Sequence, residues 1–352
     1  MEVVRKVSSV ISRANRAMPR SANGSQLAVT MAQDIAPLSP EHNLLVGFHF
    51  GVPTNSSRHP AIVSPGLRPI NCDDLYECWW YKGEVDFTTC GKVRIARCAD
   101  YTVAILEQPN SAPEDFRADA YDAYHELLGA VQGIEHGHLV KIWNYFSGIN
   151  ESEGDAEKYR QFSLGRASAF DELGIQDESV PTGTAIGCLH DCGLTIIALL
   201  TSNDFRSTEN PRQLSAYRYP RQYGPRSPKF SRGGCVVSAD HTLFVISGTA
   251  AIIGHESAFP YEMELQASET LNNLDHLADA LSGLGPADQS LVLDEDLILR
   301  VYLRESEDMD FVARQLKEVF GDIEPNLVFL NADICRRELM VEIDGVKVIA
   351  KR

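Results

Sequence analysis

Seven cations crowd one stretch of an otherwise acidic chain: Arg206, Arg212, Arg218, Arg221, Arg226, Lys229 and Arg232, with Glu209 the only acid among them. The 352 residues carry 32 Lys and Arg against 49 Asp and Glu, a net charge of −17, so this segment reverses the sign locally. Tyr217, Tyr219 and Tyr223 alternate with the arginines, and Pro211, Pro220, Pro225 and Pro228 stiffen the run. Guanidinium forks grip carboxylates through paired hydrogen bonds, and tyrosine hydroxyls add short ones. A proline-restricted loop loses less entropy when it binds. The segment is therefore either a site for small anions or a loop tethered to acidic surface elsewhere. Basic and aromatic residues together also suit single-stranded nucleic acid, but the acidity of the whole chain argues against nucleic acid and against an anionic membrane surface.

Glu342 is the second focus. It stands between Val341 and Ile343 in an apolar run near the end of the chain. Burial raises a carboxyl's pKa toward neutrality and makes it a proton donor. The alternation Glu338, Met340, Glu342 also fits a strand with one wet face. Gly248, in Ile246-Ser247-Gly248-Thr249-Ala250, marks either a bulge or a close approach to a ligand. His255, in Gly-His-Glu, suits a cavity wall or an ordinary structural histidine. Eight cysteines lack framework spacing, which points to reduced thiols in a cytoplasmic protein. Cys188-Leu-His-Asp-Cys192 lacks the second ligand pair of a structural zinc site, so no metal is expected. Neither a Gly-x-Gly-x-x-Gly turn nor a Walker loop is present, and no cofactor is expected. No apolar run approaches the length of a bilayer span.

The elements that must position these residues follow a repeated order. Short strands such as Val93–Ala96 and Tyr101–Leu106 precede a helix whose stripe is Phe116, Ala120, Tyr124, Leu127 and Val131. A strand over 139–146 follows, then a polar, acidic surface connection over 147–158. Strands at 184–187 and 193–200 lead into the long irregular segment 201–234. Strands at 235–238 and 243–247, a helix over 262–281, a strand over 297–303, a helix over 311–320 and closing strands at 338–343 and 347–350 complete the chain. This is an α+β pattern with an internal repeat near 150 residues. Residues 1–30 are basic, with Glu2 their single acid. They read as a disordered extension upstream of a start at Met31, in preference to a transit peptide.

The two helix-strand units, with Val140-Lys141-Ile142-Trp143-Asn144-Tyr145-Phe146 in one and Asn272-Asn273-Leu274 and Leu299-Arg300-Val301-Tyr302-Leu303 in the other, resemble the RidA (YjgF) fold. The ending from Asn331 to Ile343 is similar to that fold's terminal loop and strand. Two such units in one chain resemble the chorismatase family over roughly residues 40–350, most specifically in the C-terminal half and nearest the 3-hydroxybenzoate synthases of aryl-polyene pigment pathways.

The resemblance implies two packed RidA-like (chorismate-mutase-like) units, 31–158 and 159–352, with the site mainly in the second. It implies cleavage of the small molecule chorismate to 3-hydroxybenzoate, or a mixture with 4-hydroxybenzoate, and pyruvate. Glu342 becomes the catalytic acid; Arg232, Tyr219 and Arg166, in Phe-Ser-Leu-Gly-Arg, become substrate contacts. Cys335, seven residues before Glu342, matches the benzoate-forming members, as does Gly248; the hydrolytic members carry alanine at both. A spacing of seven puts Cys335 and Glu342 on opposite faces of one continuous strand. The two share a site only if 332–336 is a loop. The alternatives are hydrolysis to a dihydrodiol and a RidA-like carboxylate-binding protein without turnover. Monomer and homotrimer both remain open.

Overall fold

The computed structural model describes residues 25–52, 59–110, 115–134, 137–188, 192–292, 294, 296–320 and 326–351. The first large sheet is built from β1 (Asp86–Cys90), β2 (Val93–Arg97), β3 (Tyr101–Gln108), α1 (Phe116–Val131), β4 (His138–Ser147), α2 (Lys158–Glu172), β5 (Thr182–Cys188) and β6 (Leu194–Thr201). The second uses β7 (Asp204–Thr208), β8 (Gly233–Val237), β9 (His241–Ala250), α3 (Met263–Ser282), β10 (Ile298–Leu303), α4 (Met309–Phe320), β11 (Asn326–Asn331) and β12 (Val341–Ala350). Strand orders are β1-β2-β3-β6-β4-β5 and β7-β8-β9-β12-β10-β11. In each unit a meander, a helix, a strand, a helix and a parallel strand are followed by a last strand inserted antiparallel between the third and fourth. The repeat expected from sequence is therefore a duplicated topology.

The units also exchange edges. Asp333–Ile334 pairs with β5 of the first sheet, while Arg68–Pro69 pairs with β11 of the second. Helices α1 and α2 cover one face of the first sheet, and α3 and α4 one face of the second. The inner faces meet over Trp143, Tyr145, Leu199, Val245, Tyr302 and Val346. Phe48, Phe50 and Trp79 of a four-stranded sheet (Leu27–Ala32, Leu75–Lys82, His42–Phe50, Ile62–Val63) close that core. Among the described residues no helix is long and apolar enough to cross a membrane.

Several sequence expectations change: Asp204–Thr208 is a strand inside the segment expected to be irregular, and the closing strands expected at 338–343 and 347–350 are one strand, Val341–Ala350. Residues 1–24, with most of the expected extension, lie outside the described residues. Leu27–Ala32, however, is a core strand on Leu75–Lys82, because Leu27, Ala28, Val29 and Met31 bring apolar surface that pairs and buries. The seam does not fall at 158/159: β5 and β6 return to pair with β4 and β3 and complete the first sheet, so the first unit runs to Thr201. Helix α2 carried no sequence signal, since its buried face includes Lys158, Ser163, Gly165 and Arg166 alongside Phe162 and Phe170. Gly165 lets α2 approach α1 closely; a Cβ there would lie 2.3 Å from the Arg117 carbonyl oxygen.

Buried charges lock the sheets together. Arg300 on β10 donates to both carboxylate oxygens of Glu77 at 2.8 and 2.7 Å, and Trp79 Nε1 donates to the same group at 2.8 Å. Lys141 on β4 lies 3.2 Å from Asp344 on β12, both fully buried. Thr184 Oγ1, Trp143 Nε1 and Tyr302 Oη also donate to Asp344, at 2.8, 3.1 and 3.2 Å. Removing one partner strands a buried charge, at a cost of about 3–5 kcal/mol. Glu77→Leu should therefore lower the denaturant midpoint by that equivalent with an unchanged slope, and adding Arg300→Leu should recover part of the loss. A single variant as stable as the parent would show the pair to be dispensable.

Candidate active site

The site begins on β12. Val341 and Ile343 face the helices of the second unit, while Glu342 and Asp344 face the first unit. Strand β9 runs beside them. Ile246 pairs with Gly345 and Thr249 with Ile343, so β9 holds one extra residue and bulges at Ser247–Gly248. The bulge leaves Gly248 against the Glu342 carboxyl: a Cβ there would lie 1.9 Å from Oε1. Only glycine lets that carboxyl keep its position. Glu342 is 4 % exposed. Burial, then the neighbouring Asp344 charge, pushes its pKa up to about 8 against the pull of Arg232 and Lys141. It is a protonated carboxylic acid at neutral pH.

Cys335 arrives by a loop. The chain pairs with β5 at Asp333–Ile334, turns through 335–340 and enters β12 at Val341. The break between the two strands puts both side chains on one side, with Cys335 Sγ 4.0 Å from Glu342 Oε2. Burial and the nearby Glu342 push the thiol's pKa well up, so it stays protonated.

Two buried guanidiniums face the same space. Arg232, 2 % exposed, donates through Nη2 to Tyr219 Oη at 2.5 Å and to the Leu214 carbonyl at 3.3 Å, and its Nε has no partner. Phe230 lies under it, 5.0 Å from ring centroid to guanidinium carbon. Arg166, 3 % exposed, comes from α2 and leaves Nε and Nη2 unpartnered above Phe162. Ser247 Oγ is likewise buried without a partner. Leaving such groups unpaired costs about 1–3 kcal/mol each or more, a cost recovered when an anion supplies the acceptors.

Glu342, Cys335, Gly248, Arg232, Tyr219 and Arg166 line one cavity of about 660 Å³, while Ser247 lies behind its wall. Gly183, Thr184 and Ala185 of β5 and Tyr159 of α2 complete it, so the site lies at the seam and not mainly in the second unit. The connection at 147–158 supplies part of the rim through Ser152, Glu153 and Glu157.

The basic segment divides between its two readings. Arg206, Arg212, Arg221, Arg226 and Lys229 pair with Asp204, Glu269, Asp155, Asp171 and Asp177, which makes them tethers. Arg232 and Tyr219 turn inward as a hydrogen-bonded pair, and Tyr223 lines the cavity beside them. His255 does not line the cavity; its Nδ1 lies 3.1 Å from Tyr223 Oη. The sequence reading missed Arg336, which stacks 4.0 Å from the Tyr223 ring centroid and lines the cavity. Its only signal was its place beside Cys335.

The duplicated α+β architecture thus encloses a cavity that joins a buried carboxylic acid to two guanidiniums with unpaired donors, a combination suited to a small anionic ligand. The comparisons narrow that reading. Residues 77–200 match the family model described as chorismatase FkbO/Hyg5-like, N-terminal, a span that ends where the first sheet ends. A Streptomyces rapamycinicus protein named chorismatase is 33% identical over 280 residues, covering 78% of this chain and 82% of its own. A Streptomyces hygroscopicus 3-hydroxybenzoate synthase is 32% identical over 233 residues, covering 64% of this chain and 67% of its own. A crystal structure of a chorismatase superposes with a TM-score of 0.78 at 27% identity, over 92% of this chain and 99% of that one. The chain belongs to the chorismatase family.

Arg232→Ala should weaken binding of a non-reactive cyclic dicarboxylate by about 1.5–3 kcal/mol, the range for a charge-assisted hydrogen bond. Arg232→Lys should restore only part, because one ammonium cannot reproduce the fork. Titration calorimetry reads both; unchanged affinity in both variants would place the anion elsewhere.

Proposed function

We propose that this protein is an enzyme that cleaves chorismate to 3-hydroxybenzoate and pyruvate. The observation that carries the reading is Glu342: a buried acid whose pKa is raised to about 8, facing two guanidiniums with unpaired donors. Chorismate has two carboxylates and an enolpyruvyl ether, so it needs both anion grips and a proton donor. Relatives named chorismatase and 3-hydroxybenzoate synthase support that substrate and product. The eight free thiols fit a reducing, cytoplasmic setting.

Arg232 with Tyr219, and Arg166, hold the carboxylates. Glu342 gives its proton to the terminal methylene carbon, which becomes the methyl group of pyruvate. The oxocarbenium ion so formed drives rupture of the bond between the ether oxygen and the ring carbon, so that this oxygen leaves as the ketone of pyruvate. The neighbouring ring hydroxyl closes on the vacated carbon to give an arene oxide, the intermediate that the family resemblance implies. Chorismate divides into hydroxybenzoate and pyruvate with no water added. The proton released by that hydroxyl restores the acid, and the arene oxide opens at the carbon that first bore the hydroxyl, losing a ring proton as its oxygen gains one, to give 3-hydroxybenzoate. Cys335 and the space beside Gly248 shape what lies against the ring and favour aromatisation over attack by water.

Chorismate incubated with the pure protein alone should yield pyruvate and 3-hydroxybenzoate, seen by a coupled assay and chromatography. Glu342→Gln should lower turnover by about a hundredfold or more, the usual scale for a general acid, with near-normal binding of the dicarboxylate. Because the acid form is the active one, kcat/KM of the parent should be level at neutral pH and fall as pH rises through about 8, the free site's pKa, with kcat falling at a higher pH. Full activity in the glutamine variant would remove Glu342 from the mechanism.

Cys335→Ala leaves the acid in place, so pyruvate release should stay within about tenfold, a change of about 1.4 kcal/mol. The 3-hydroxybenzoate fraction should fall as dihydrodiol or 4-hydroxybenzoate rises. Loss of pyruvate release would assign Cys335 to the cleavage step, and unchanged pure 3-hydroxybenzoate would reduce it to packing.

A further inference from the structure

The turn that delivers Cys335 has no ladder of its own. Strand pairing holds Asp333–Ile334 on one side and β12 on the other, but 335–340 lies between them. Its carbonyl groups need partners from elsewhere. Backbone N–H groups of Leu339, Tyr261 and Arg304 serve the carbonyls of Arg336, Glu338 and Met340, and the Arg304 side chain, just beyond β10, adds a further set. Its Nε donates to the Leu339 carbonyl at 2.9 Å, and its Nη2 to the carbonyls of Ile334 and Arg336 at 3.2 and 3.1 Å. These last two carbonyls flank Cys335 on both sides. Nη1 donates to the Asp333 carboxylate at 2.5 Å, and Nη2 also reaches Asn150 Oδ1 at 3.2 Å. Arg304 is not part of the cavity wall.

A second bracket backs the first. The buried Gln266 amide donates to the Glu338 carbonyl at 2.7 Å and to the Phe259 carbonyl at 2.8 Å, and accepts from Met340 N–H at 2.8 Å. Glu342 needs neither bracket, because the β9 and β10 ladders hold its backbone.

We infer that Arg304 is a positioning residue for Cys335: by clamping the carbonyls on either side of it, Arg304 holds the thiol against Glu342 and so selects the product without binding substrate. The inference rests on the reading above, in which Cys335 lies beside the reacting ring. A guanidinium presents five donors in a rigid plane. An ammonium has three on a flexible stem and cannot span Leu339 and Ile334 together with Asp333 in the same geometry. Loosening the turn therefore moves the thiol and leaves the acid where it is, which separates product choice from cleavage.

The test uses Arg304→Lys and Arg304→Gln in the full chain. Iodoacetamide alkylation of the native protein is followed cysteine by cysteine by peptide mass spectrometry, and products from chorismate are measured in parallel. Cys335 should alkylate at least about tenfold faster, as expected of an easier local opening, with the buried Cys78 and Cys235 unchanged. Pyruvate release should stay within about tenfold while the 3-hydroxybenzoate fraction falls, and lysine should retain more of it than glutamine.

Parallel acceleration at all three cysteines would mean general loosening and would overturn a positioning role. So would faster labelling of Cys335 with an unchanged product ratio, or no change in either. If the parent itself does not cleave chorismate, the functional reading and the claim about products fall together. The alkylation rates then still decide whether Arg304 holds the turn.

Discussion

The arrangement depends on a buried charge balance. Lys141 and Arg300 face Asp344 and Glu77 in the contact between three sheets, with the Arg300 guanidinium carbon 4.3 Å from the Phe48 ring centroid. Burial alone would push the Asp344 carboxyl up; Lys141 and Arg300 overcome it and hold it below its usual range. Burial draws Lys141 down to about 8 in spite of Asp344. Two cations and two anions cancel within a cluster whose side chains are almost fully buried. Glu342, two residues from Asp344 on the same strand face, is then a fifth group with no cation assigned to it. Ionising it would add an uncompensated charge beside Asp344. Burial first, and the Asp344 charge of this network second, keep that acid protonated, against the pull of Lys141.

The duplication explains where that acid can sit. Each unit covers one sheet face with helices and turns the other toward its partner. A strand buried on both faces leaves few places for a charged side chain. The cavity opens where β9 bulges and where the Asp333–Ile334 edge crosses to the first sheet. One irregularity makes room for the carboxyl and the other brings the thiol. Both are departures from regular pairing, in keeping with the tendency of bulges to gather at functional sites.

What could be read from sequence follows from what each signal depends on. The helices α1 and α3 and strand β12 were legible because their apolar residues recur at the helical or strand period. The Cys335 spacing was legible as a condition, that the chain cannot run straight into β12, but the expected loop at 332–336 is displaced: Asp333–Ile334 is a strand on β5 and the break falls at 335–340. Pairing partners are not local. Nothing in Thr182–Thr201 says that it completes the first sheet instead of opening the second. Helix α2 was hidden because its inward face carries Lys158 and Arg166, polar residues that periodicity assigns to solvent. The basic segment stood out by charge, but charge alone does not separate Arg232 from the five cations that tether to acids.

The same cations link binding to proton transfer. Arg232 pulls the Glu342 pKa down while burial and Asp344 push it up. A substrate carboxylate on Arg232 cancels part of that pull, so the occupied site holds its proton more firmly than the empty one. In the proposed reaction, protonation of the methylene carbon then places positive charge on the ligand beside the carboxyl. That charge, absent in the ground state, stabilises the carboxylate as it forms. The acid is thus weak until the reaction itself supplies its counter-ion, so the interaction strengthens chiefly in the transition state, where it lowers the barrier. A permanently ionised glutamate beside a fixed cation would have no proton to give. In this site, withholding a dedicated partner from Glu342 is what makes it a usable acid.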